Sequence, residues 1–279
     1  MNNLLFDLSD LRFEISFKSY DELRLILSFF ENNNLYNINI PCKNNLKKNF
    51  LLNSIKISRE EFPTIDLIPH FSILHEFKRN RFNTQTSFKE FLQVVKYLGC
   101  NEVLIVSGSQ KRSTLDSVSI LHTFKDNTLF SNCHFSLGVA FNPYLPEDSF
   151  QEEIRRLEEK LKSNLVTSIW LQFGSDVQLL TSRIEILKKI IFLNNNSDVS
   201  RITLFGSIFI PSNQFLARFK YRPWKGVFLS SEFLESIDFA NEAVMNLFKT
   251  YKYFRISPII ESNISNQSQL NSLCRLLET

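Results

Sequence analysis

Glycine is scarce in this sequence, with only 6 copies among 279 residues. The first strand-like segment, LRFEISF at residues 11–17, is not followed by a glycine-rich turn. An open, doubly wound dinucleotide-binding sheet normally carries such a turn after its first strand. The scarcity therefore argues against that fold, and it also leaves the sequence without a glycine-rich phosphate-binding loop.

Cysteine is also rare, and its 4 copies lie far apart in the sequence, at Cys42, Cys100, Cys133 and Cys274. This spacing fits neither a dense disulfide framework nor a zinc site. We therefore expect no bound metal and a reducing compartment.

The sequence lacks both a strong excess of charge and a long apolar run. Its net charge is +3, which is too small to predict nucleic acid or an anionic membrane as a partner. No apolar stretch approaches the ~20 residues of a membrane-spanning helix, and the first ten residues do not have the pattern of a secretory signal. We expect a soluble cytoplasmic protein, and the sequence leaves its oligomeric state open.

Strand-like and helix-like segments alternate along the whole chain. The helix-like segment 87–99 places Phe88, Phe91, Val95 and Leu98 at helical spacing, with Ser87 as its expected N-cap. The eight strand-like segments span residues 11–17, 35–41, 64–72, 102–108, 134–141, 168–174, 201–211 and 254–262.

This alternation predicts a parallel sheet covered by helices. Eight units favour closure into a single (β/α)8 TIM barrel, which we expect to span residues 1–279 as one domain, with residues 263–279 forming a C-terminal helix. An open doubly wound sheet is the alternative.

Closure into a barrel decides which face of the first strand lies inside. The outer face of a barrel strand packs on helices and must be apolar, whereas the inner face fills the lumen. The apolar set Leu11, Phe13, Ile15 and Phe17 is therefore expected to point outward, and Glu14 to point into the lumen. The alternatives for Glu14 are a solvated carboxylate on an edge strand and a structural salt bridge.

Other strands repeat this pattern and predict a polar lumen. Pairs of polar residues share one face of a strand, namely Asn37 with Asn39, Asp66 with His70, and Arg255 with Ser257. Buried polar groups are costly unless they satisfy one another or a ligand, so the sequence predicts a binding or catalytic site in the lumen. The alternative for His70 is a hydrogen-bonded core histidine, and His75, His122 and His134 fit no recognisable arrangement.

Gly108, Gly174 and Gly206 lie at or near the C-terminal ends of the fourth, sixth and seventh predicted strands, and Gly138 lies within the fifth. Glycine at such positions lets the backbone turn sharply or approach a ligand closely. We expect a ligand near them, with ordinary turn glycines as the alternative.

At the level of motif order, the chain resembles the methylenetetrahydrofolate reductase family. RFEISF is similar to the first strand of that family, SFEFFPP, whose glutamate protonates the pterin. IPHFS is similar to PHLTC, and the segments 97–109, 136–147, 157–173 and 204–211 resemble later family motifs in the same order. Members are (β/α)8 barrels that reduce methylenetetrahydrofolate to methyltetrahydrofolate, and most of them use a flavin reduced by NADH or NADPH.

The resemblance implies a role for each matching residue. Glu14 would be the catalytic proton donor, and the folate would contact Gln172, Ser109 and Phe209. The cofactor-binding positions would be His70, Asn39, Gly108, Ala140 and Lys160, with NAD(P)H as the reductant and FAD as the flavin.

The sequence also departs from the family pattern on the flavin side. Ser109 replaces a family aspartate, Phe141 a tyrosine, Leu145 a histidine, and Glu159 a basic residue. A carboxylate in place of a cation is unfavourable near a diphosphate. The resemblance therefore leaves three readings open: a reductase in which the nicotinamide donates hydride directly, a folate-dependent methyl or one-carbon transferase, and a non-catalytic folate-binding relative.

Overall fold

A computed structural model provides the structure of the protein. It describes residues 4–42, 48–74, 84–107, 116–126, 130, 135–194 and 202–278. Two predicted site residues, Gly108 and Ser109, lie outside these described residues, as do Cys133, His75 and His134.

Eight parallel strands form a closed barrel in which each strand pairs with its neighbours in sequence and the last strand pairs with the first. The predicted (β/α)8 TIM barrel is thus confirmed, and an open doubly wound sheet is excluded. The strands are β1 Arg12–Glu14, β2 Asn37–Ile40, β3 Asp66–Ser72, β4 Glu102–Val106, β5 Ser136–Phe141, β6 Val166–Leu171, β7 Thr203–Ile208 and β8 Ser257–Ile260.

Helices connect the strands and cover the barrel. They are α1 Tyr20–Asn32, α2 Lys48–Glu61, α3 Thr84–Tyr97, α4 Ser117–Phe124, α5 Glu147–Leu161, α6 Val177–Asn194, α7 Asn213–Tyr221, α8 Ser231–Glu235, α9 Ile237–Phe254 and α10 Gln267–Leu277. Several begin at a side chain that accepts a main-chain N–H of the first turn, which is typical of an N-cap. These caps are Ser19, Asp116, Ser212, Ser230, Ser236 and Asn266.

The expected cap at Ser87 was wrong. Helix α3 begins at Thr84, so Ser87 lies inside the helix, where it is buried. Its hydroxyl accepts a hydrogen bond of 2.8 Å from the ammonium of Lys48 in α2. Ser87 therefore links two helices, which the local sequence pattern could not indicate.

The apolar face of β1 packs outward against helices, as predicted. Leu11, Phe13 and Ile15 are at most 2% exposed. The ring of Phe13 contacts that of Phe30 in α1, with 5.0 Å between the ring centroids. The opposite face of β1 therefore belongs to the lumen, which is where Glu14 lies.

Two of the predicted ligand-approach glycines make room for tyrosine rings instead. A Cβ atom on Gly206 would lie 2.3 Å from Cζ of Tyr251, and one on Gly174 would lie 2.5 Å from Cγ of Tyr144. Both distances are far below van der Waals contact. The expectation of a ligand at these two positions was wrong, because helix and loop tyrosines occupy the space.

The lumen is less polar than predicted. A separate apolar cluster fills its middle, formed by Ile68, Leu104, Trp170, Phe205 and Ile259. Polar side chains lie along one side of this cluster, mainly on β1, β2 and β3. The sequence missed the apolar part because a two-residue period shows which residues share a face, but not how large side chains from distant strands meet.

The C-terminal part of the chain also differs from expectation. Arg255 is not on β8 beside Ser257; it ends helix α9 in the left-handed conformation, with φ of 58°. Residues 212–253, which gave no clear sequence pattern, form α7, α8 and most of α9. Between α7 and α8, Phe228 forms a single β-bridge with Gly174, so this connection crosses the loop that follows β6.

The C-terminal helix is confirmed as α10, within the predicted residues 263–279. Among the helices that the structure describes, none combines the length and the apolar character needed to cross a bilayer.

Candidate functional site

Three adjacent strands place polar side chains on the lumen side of the barrel. Arg12 pairs with Asn37 and Glu14 with Asn39 in the register of β1 and β2. Side chains alternate between the two faces of a strand, so Arg12 and Glu14 share the lumen face with Asn39 of β2. These positions form the start of the candidate site.

Arg12 is the cation of this site, although it is only 6% exposed. Its Nη1 atom donates to the main-chain oxygens of Ile38 at 3.2 Å and Asp66 at 3.3 Å, and to Oδ1 of Asn39 at 3.3 Å. Its Nη2 atom contacts the carboxylate of Asp66. The buried charge is therefore both paired and hydrogen-bonded, which is what makes its burial tolerable.

Asn39, His70 and Glu14 continue from Arg12 towards the C-terminal end of the barrel. Nδ2 of the fully buried Asn39 lies 2.8 Å from Nε2 of His70. Nδ1 of His70 lies 3.9 Å from Oε2 of Glu14, whose side chain is 15% exposed. We call the series Asp66, Arg12, Asn39, His70 and Glu14 the lumen polar chain, because it leads from the first residue of β3 to the last residue of β1.

Trp170 borders this chain from the opposite wall of the barrel. Its ring centroid lies 6.4 Å from that of His70, edge to face, and 4.1 Å from that of Phe205, stacked. Its indole N–H donates to the hydroxyl of Ser168 at 2.7 Å. The indole therefore closes the middle of the lumen, and a ligand at the C-terminal mouth would lie above it.

Glu102 lies below the indole, where the hydroxyl of Ser168 donates to its carboxylate. Burial raises the pKa of Glu102, and the hydrogen bond from Ser168 acts in the opposite direction. Gly138 makes this arrangement possible, since a Cβ atom there would lie 2.4 Å from Nε1 of Trp170 and 2.6 Å from Oγ of Ser168. The third strand glycine therefore also accommodates side chains of the protein.

Gln172 and Phe209, the predicted folate-contacting residues, follow the C-terminal ends of β6 and β7. The main-chain N–H of Gln172 donates to the oxygen of Phe141 at 2.9 Å, while its side-chain amide makes no hydrogen bond with any residue that the structure describes. Phe209 packs against Phe173 and Trp224, with 5.2 Å between ring centroids in each case. Both residues thus lie at the mouth of the barrel, with an amide of Gln172 available to a ligand.

Ala140 and Lys160, two predicted cofactor-binding residues, contact each other. The ammonium of Lys160 donates to the carbonyl oxygen of Ala140 at 2.9 Å. Lys160 is 4% exposed, and burial lowers its pKa. The ammonium is therefore held inside the protein on a main-chain carbonyl, and it is not exposed at the mouth of the barrel.

Sequence reasoning did not select Arg12 or Glu261 for the site. Phe13 pairs with Ile260 in the register of β1 and β8, and this register places Glu261 next to Glu14 at the C-terminal mouth. The hydroxyl of Ser207 donates to the carboxylate of Glu261. Two features could have identified these residues. Arg12 lies on the same face of the first strand as Glu14, and closure of the barrel brings the last strand beside the first.

The structure brings Glu14, His70 and Asn39 into one series of contacts, and it places Gln172 and Phe209 on the far side of the mouth. Within the described residues, no group of three His, Cys, Asp or Glu side chains is arranged to hold a metal ion. Cys100 and Cys274 form no disulfide within the part of the chain that the structure describes.

Comparisons with known proteins find similarity only at the level of structure. No protein-family model matches the sequence, and no curated protein matches it. An uncharacterised protein from Clostridium thermocellum that binds two copies of 5-methyl-5,6,7,8-tetrahydrofolic acid is similar in structure, with a TM-score of 0.62 and 12% identity. The similarity covers 96% of this chain and 93% of that chain.

Other similar structures belong to enzymes. Oxaloacetate acetylhydrolase in complex with the inhibitor 3,3-difluorooxalacetate has a TM-score of 0.55 at 9% identity, with 97% of this chain and 81% of that chain covered. For 2,3-dimethylmalate lyase, a member of the PEP mutase/isocitrate lyase superfamily, the TM-score is 0.53 at 9% identity, and the coverage is 95% and 78%. At these identities the similarity shows the barrel fold alone, because one barrel supports many chemistries.

Proposed function

We propose that the chain binds a reduced folate at the C-terminal mouth of the barrel and reduces 5,10-methylenetetrahydrofolate to 5-methyltetrahydrofolate with NAD(P)H, as a methylenetetrahydrofolate reductase-like enzyme of one-carbon and methionine metabolism. The observation that carries the proposal is Glu14, whose carboxyl lies at the end of β1, 15% exposed and 3.9 Å from His70. Barrel enzymes hold their catalytic groups at this end of the strands. The 5-methyltetrahydrofolate bound by the similar protein from Clostridium thermocellum supports the choice of ligand.

In this proposal Glu14 is the general acid. Its carboxyl gives a proton to N10 of the folate as the bond between N10 and the bridging carbon breaks, which leaves an iminium at N5. A bound reduced nicotinamide would supply the hydride that converts the iminium carbon to a methyl group. The protein supplies the proton and the orientation, which is the usual division of work in such reactions.

Gln172 and Phe209 would hold the pterin. The Gln172 amide offers both a donor and an acceptor, as the edge of a pterin requires. Phe209 presents an apolar ring within an aromatic cluster with Phe173 and Trp224, and planar heterocycles favour such surfaces.

A flavin is not part of the proposed reaction. Of the positions predicted to hold it, His70 and Asn39 are bonded to each other, and the Lys160 ammonium is buried on the carbonyl of Ala140. At these positions the described residues therefore offer no exposed cation to a flavin diphosphate. The carboxylate of Glu159 is paired with Lys162 at 2.7 Å.

Ligand binding and turnover can be tested on the purified protein. We expect 5-methyltetrahydrofolate to raise the thermal midpoint, because a ligand that binds only the native state stabilises it. NADH or NADPH should be oxidised when methylenetetrahydrofolate is added, with no visible flavin absorption. No stabilisation by any reduced folate would refute the proposal.

A second candidate is a folate-dependent methyl or one-carbon transferase, or a folate-binding protein without catalysis. The unfavourable surroundings for a flavin diphosphate favour it. Stabilisation by 5-methyltetrahydrofolate without any nicotinamide oxidation would support this candidate over the reductase.

A further inference from the structure

We infer that Arg12 and Asn39 are positioning residues that hold His70 in the tautomer with its proton on Nδ1, the ring nitrogen nearer to Glu14. Three contacts of the lumen polar chain connect Arg12 to Glu14. These are Arg12 to Asn39 at 3.3 Å, Asn39 to His70 at 2.8 Å, and His70 to Glu14 at 3.9 Å.

Arg12 sets the donor–acceptor order of the hydrogen bonds in the lumen polar chain, because a guanidinium can only donate hydrogen bonds. The atom of Asn39 that faces Arg12 must therefore be the acceptor, Oδ1. The amide NH2 of Asn39 then faces Nε2 of His70, so this nitrogen must accept and carries no proton. In a neutral imidazole the single proton is consequently on Nδ1.

The opposite arrangement is disfavoured by burial. Turning the Asn39 amide over would place its NH2 group against the guanidinium of Arg12, so this buried group would face a donor instead of an acceptor. The guanidinium itself would keep its bonds to the main-chain oxygens of Ile38 and Asp66. Asn39 has no exposed surface, and a buried donor without an acceptor is destabilising. A second proton on Nε2 of His70 would face the NH2 group of Asn39, which is also a donor. The hydrogen bonds of the lumen polar chain therefore also disfavour an imidazolium.

The charge of His70 affects whether the carboxyl of Glu14 is ionised. A positive ring 3.9 Å from Oε2 of Glu14 would favour the ionised carboxylate. The neutral tautomer avoids this charge and leaves Glu14 able to hold the proton that a general acid needs. This consequence rests on the proposed function, whereas the tautomer itself does not.

The N-terminal end of the lumen gives experimental access to Arg12. A cavity of about 620 Å³ opens there, and its lining includes Arg12, Asn37, Phe205 and Ser257. Removal of the Arg12 side chain would extend this cavity to Asn39. A small cation from solvent could then occupy the place of the guanidinium.

The tautomer can be read directly from ¹⁵N chemical shifts of the imidazole nitrogens in the full-length protein. The sequence has only 4 histidines, so His70→Gln identifies the signals of His70. We expect protonated Nδ1 and unprotonated Nε2 in the wild type. A wild-type spectrum with the proton on Nε2 would overturn the inference, whichever variants fold.

Asn39→Asp tests the role of the amide. The carboxylate keeps the shape of Asn39 but can only accept, so the proton of His70 should move to Nε2 or a second proton should bind there. Asn37→Asp is the matched control, since it makes the same change on the same strand without contact to His70, and its His70 signals should match the wild type. An unchanged tautomer in Asn39→Asp would overturn the inference.

Arg12→Ala tests the cation that orients Asn39. We expect a mixture of both tautomers of His70, and guanidinium chloride well below unfolding concentrations should restore the wild-type signals while sodium chloride should not. Retention of the pure Nδ1–H form in Arg12→Ala without added guanidinium would show that Arg12 does not set the tautomer.

Turnover separates this inference from the proposed function. If both hold, Asn39→Asp should lower kcat for methylenetetrahydrofolate about tenfold or more, within the range of general acid catalysis, with a smaller change in the Kd of 5-methyltetrahydrofolate. The ¹⁵N result stands if no folate activity is found, in which case only the proposed function fails. An altered tautomer with unchanged kcat would overturn the positioning role.

Discussion

Arg12 and Asp66 form an ion pair at the N-terminal end of the lumen, with side chains that are 8% and 51% exposed respectively. The cation is thus almost fully buried, whereas its counterion reaches solvent. A buried charge depends strongly on its partner, because the desolvation it has suffered is not recovered when the partner is removed. The first residue of β3 therefore stabilises a side chain that is central to the candidate site.

Asp66→Asn should lower the free energy of unfolding by about 1–2 kcal/mol. Loss of a buried pair costs more than this, but solvent screens the half-exposed carboxylate. Urea unfolding measures the change. Asp10→Asn is the control, because Asp10 is exposed and forms no ion pair within the described residues, so its stability should match the wild type; equal stability of both variants would contradict the importance of the pair.

Glu14→Gln should reduce turnover of methylenetetrahydrofolate by at least ~100-fold, because an amide cannot donate the proton of a general acid. Binding of 5-methyltetrahydrofolate should be retained, since the amide keeps the size and most of the hydrogen bonding of the acid. Steady-state kinetics and a binding titration give the two readouts. Near wild-type turnover would remove Glu14 from the mechanism, and Glu185→Gln on the exposed face of α6 controls for the change of charge.

Gly138→Ala should destabilise the protein by about 1–3 kcal/mol, the usual cost of overpacking. The new methyl group would lie 2.4 Å from Nε1 of Trp170. Trp170→Leu removes the indole, so the double variant should be less destabilised than the sum of the two single variants, with a coupling of at least ~0.5 kcal/mol. Strict additivity would show that the two residues do not compete for space.

Glu102 should make stability depend on pH. Burial raises the pKa of its carboxyl above the ordinary value of 4.5. Between that value and the raised one, the folded state holds a proton that the unfolded state has lost, so stability falls as pH increases through this range. The penalty is complete above the raised pKa and disappears below the ordinary one.

Glu102→Gln should therefore become more stable relative to the wild type as pH rises above 4.5, because the amide does not ionise. Urea unfolding at several pH values provides the comparison. Glu242→Gln, at an exposed position of α9, is the matched control and should show a constant difference. A constant difference for Glu102→Gln as well would contradict the raised pKa.

The sequence was sufficient to predict the barrel fold and the position of the Glu14 side chain in the lumen. Alternation of strands and helices is a local property, and eight repeats of it leave few ways to pair parallel strands. Once the strands close, the apolar face of β1 must meet the helices. Phe13 against Phe30 is an example, and the lumen position of Glu14 follows from it.

The sequence did not allow us to predict which residues the lumen side chains contact. The sequence pattern placed His70 on the inner face of its strand. Its hydrogen bond to Asn39 depends on the register between β2 and β3 and on the packing of the surrounding side chains. The glycines show the same limit, since Gly206 looked like a ligand position until the ring of Tyr251 was found against it.

The sequence by itself determined the order of the elements and the face on which the side chains of β1 lie, because side-chain periodicity acts over a few residues. Only the tertiary structure decided which side chains meet. Closure of the barrel pairs Phe13 of β1 with Ile260 of β8 across most of the chain length. The ion pair of Arg12 with Asp66 joins side chains of β1 and β3. Such contacts depend on packing between distant segments, and no local pattern records them.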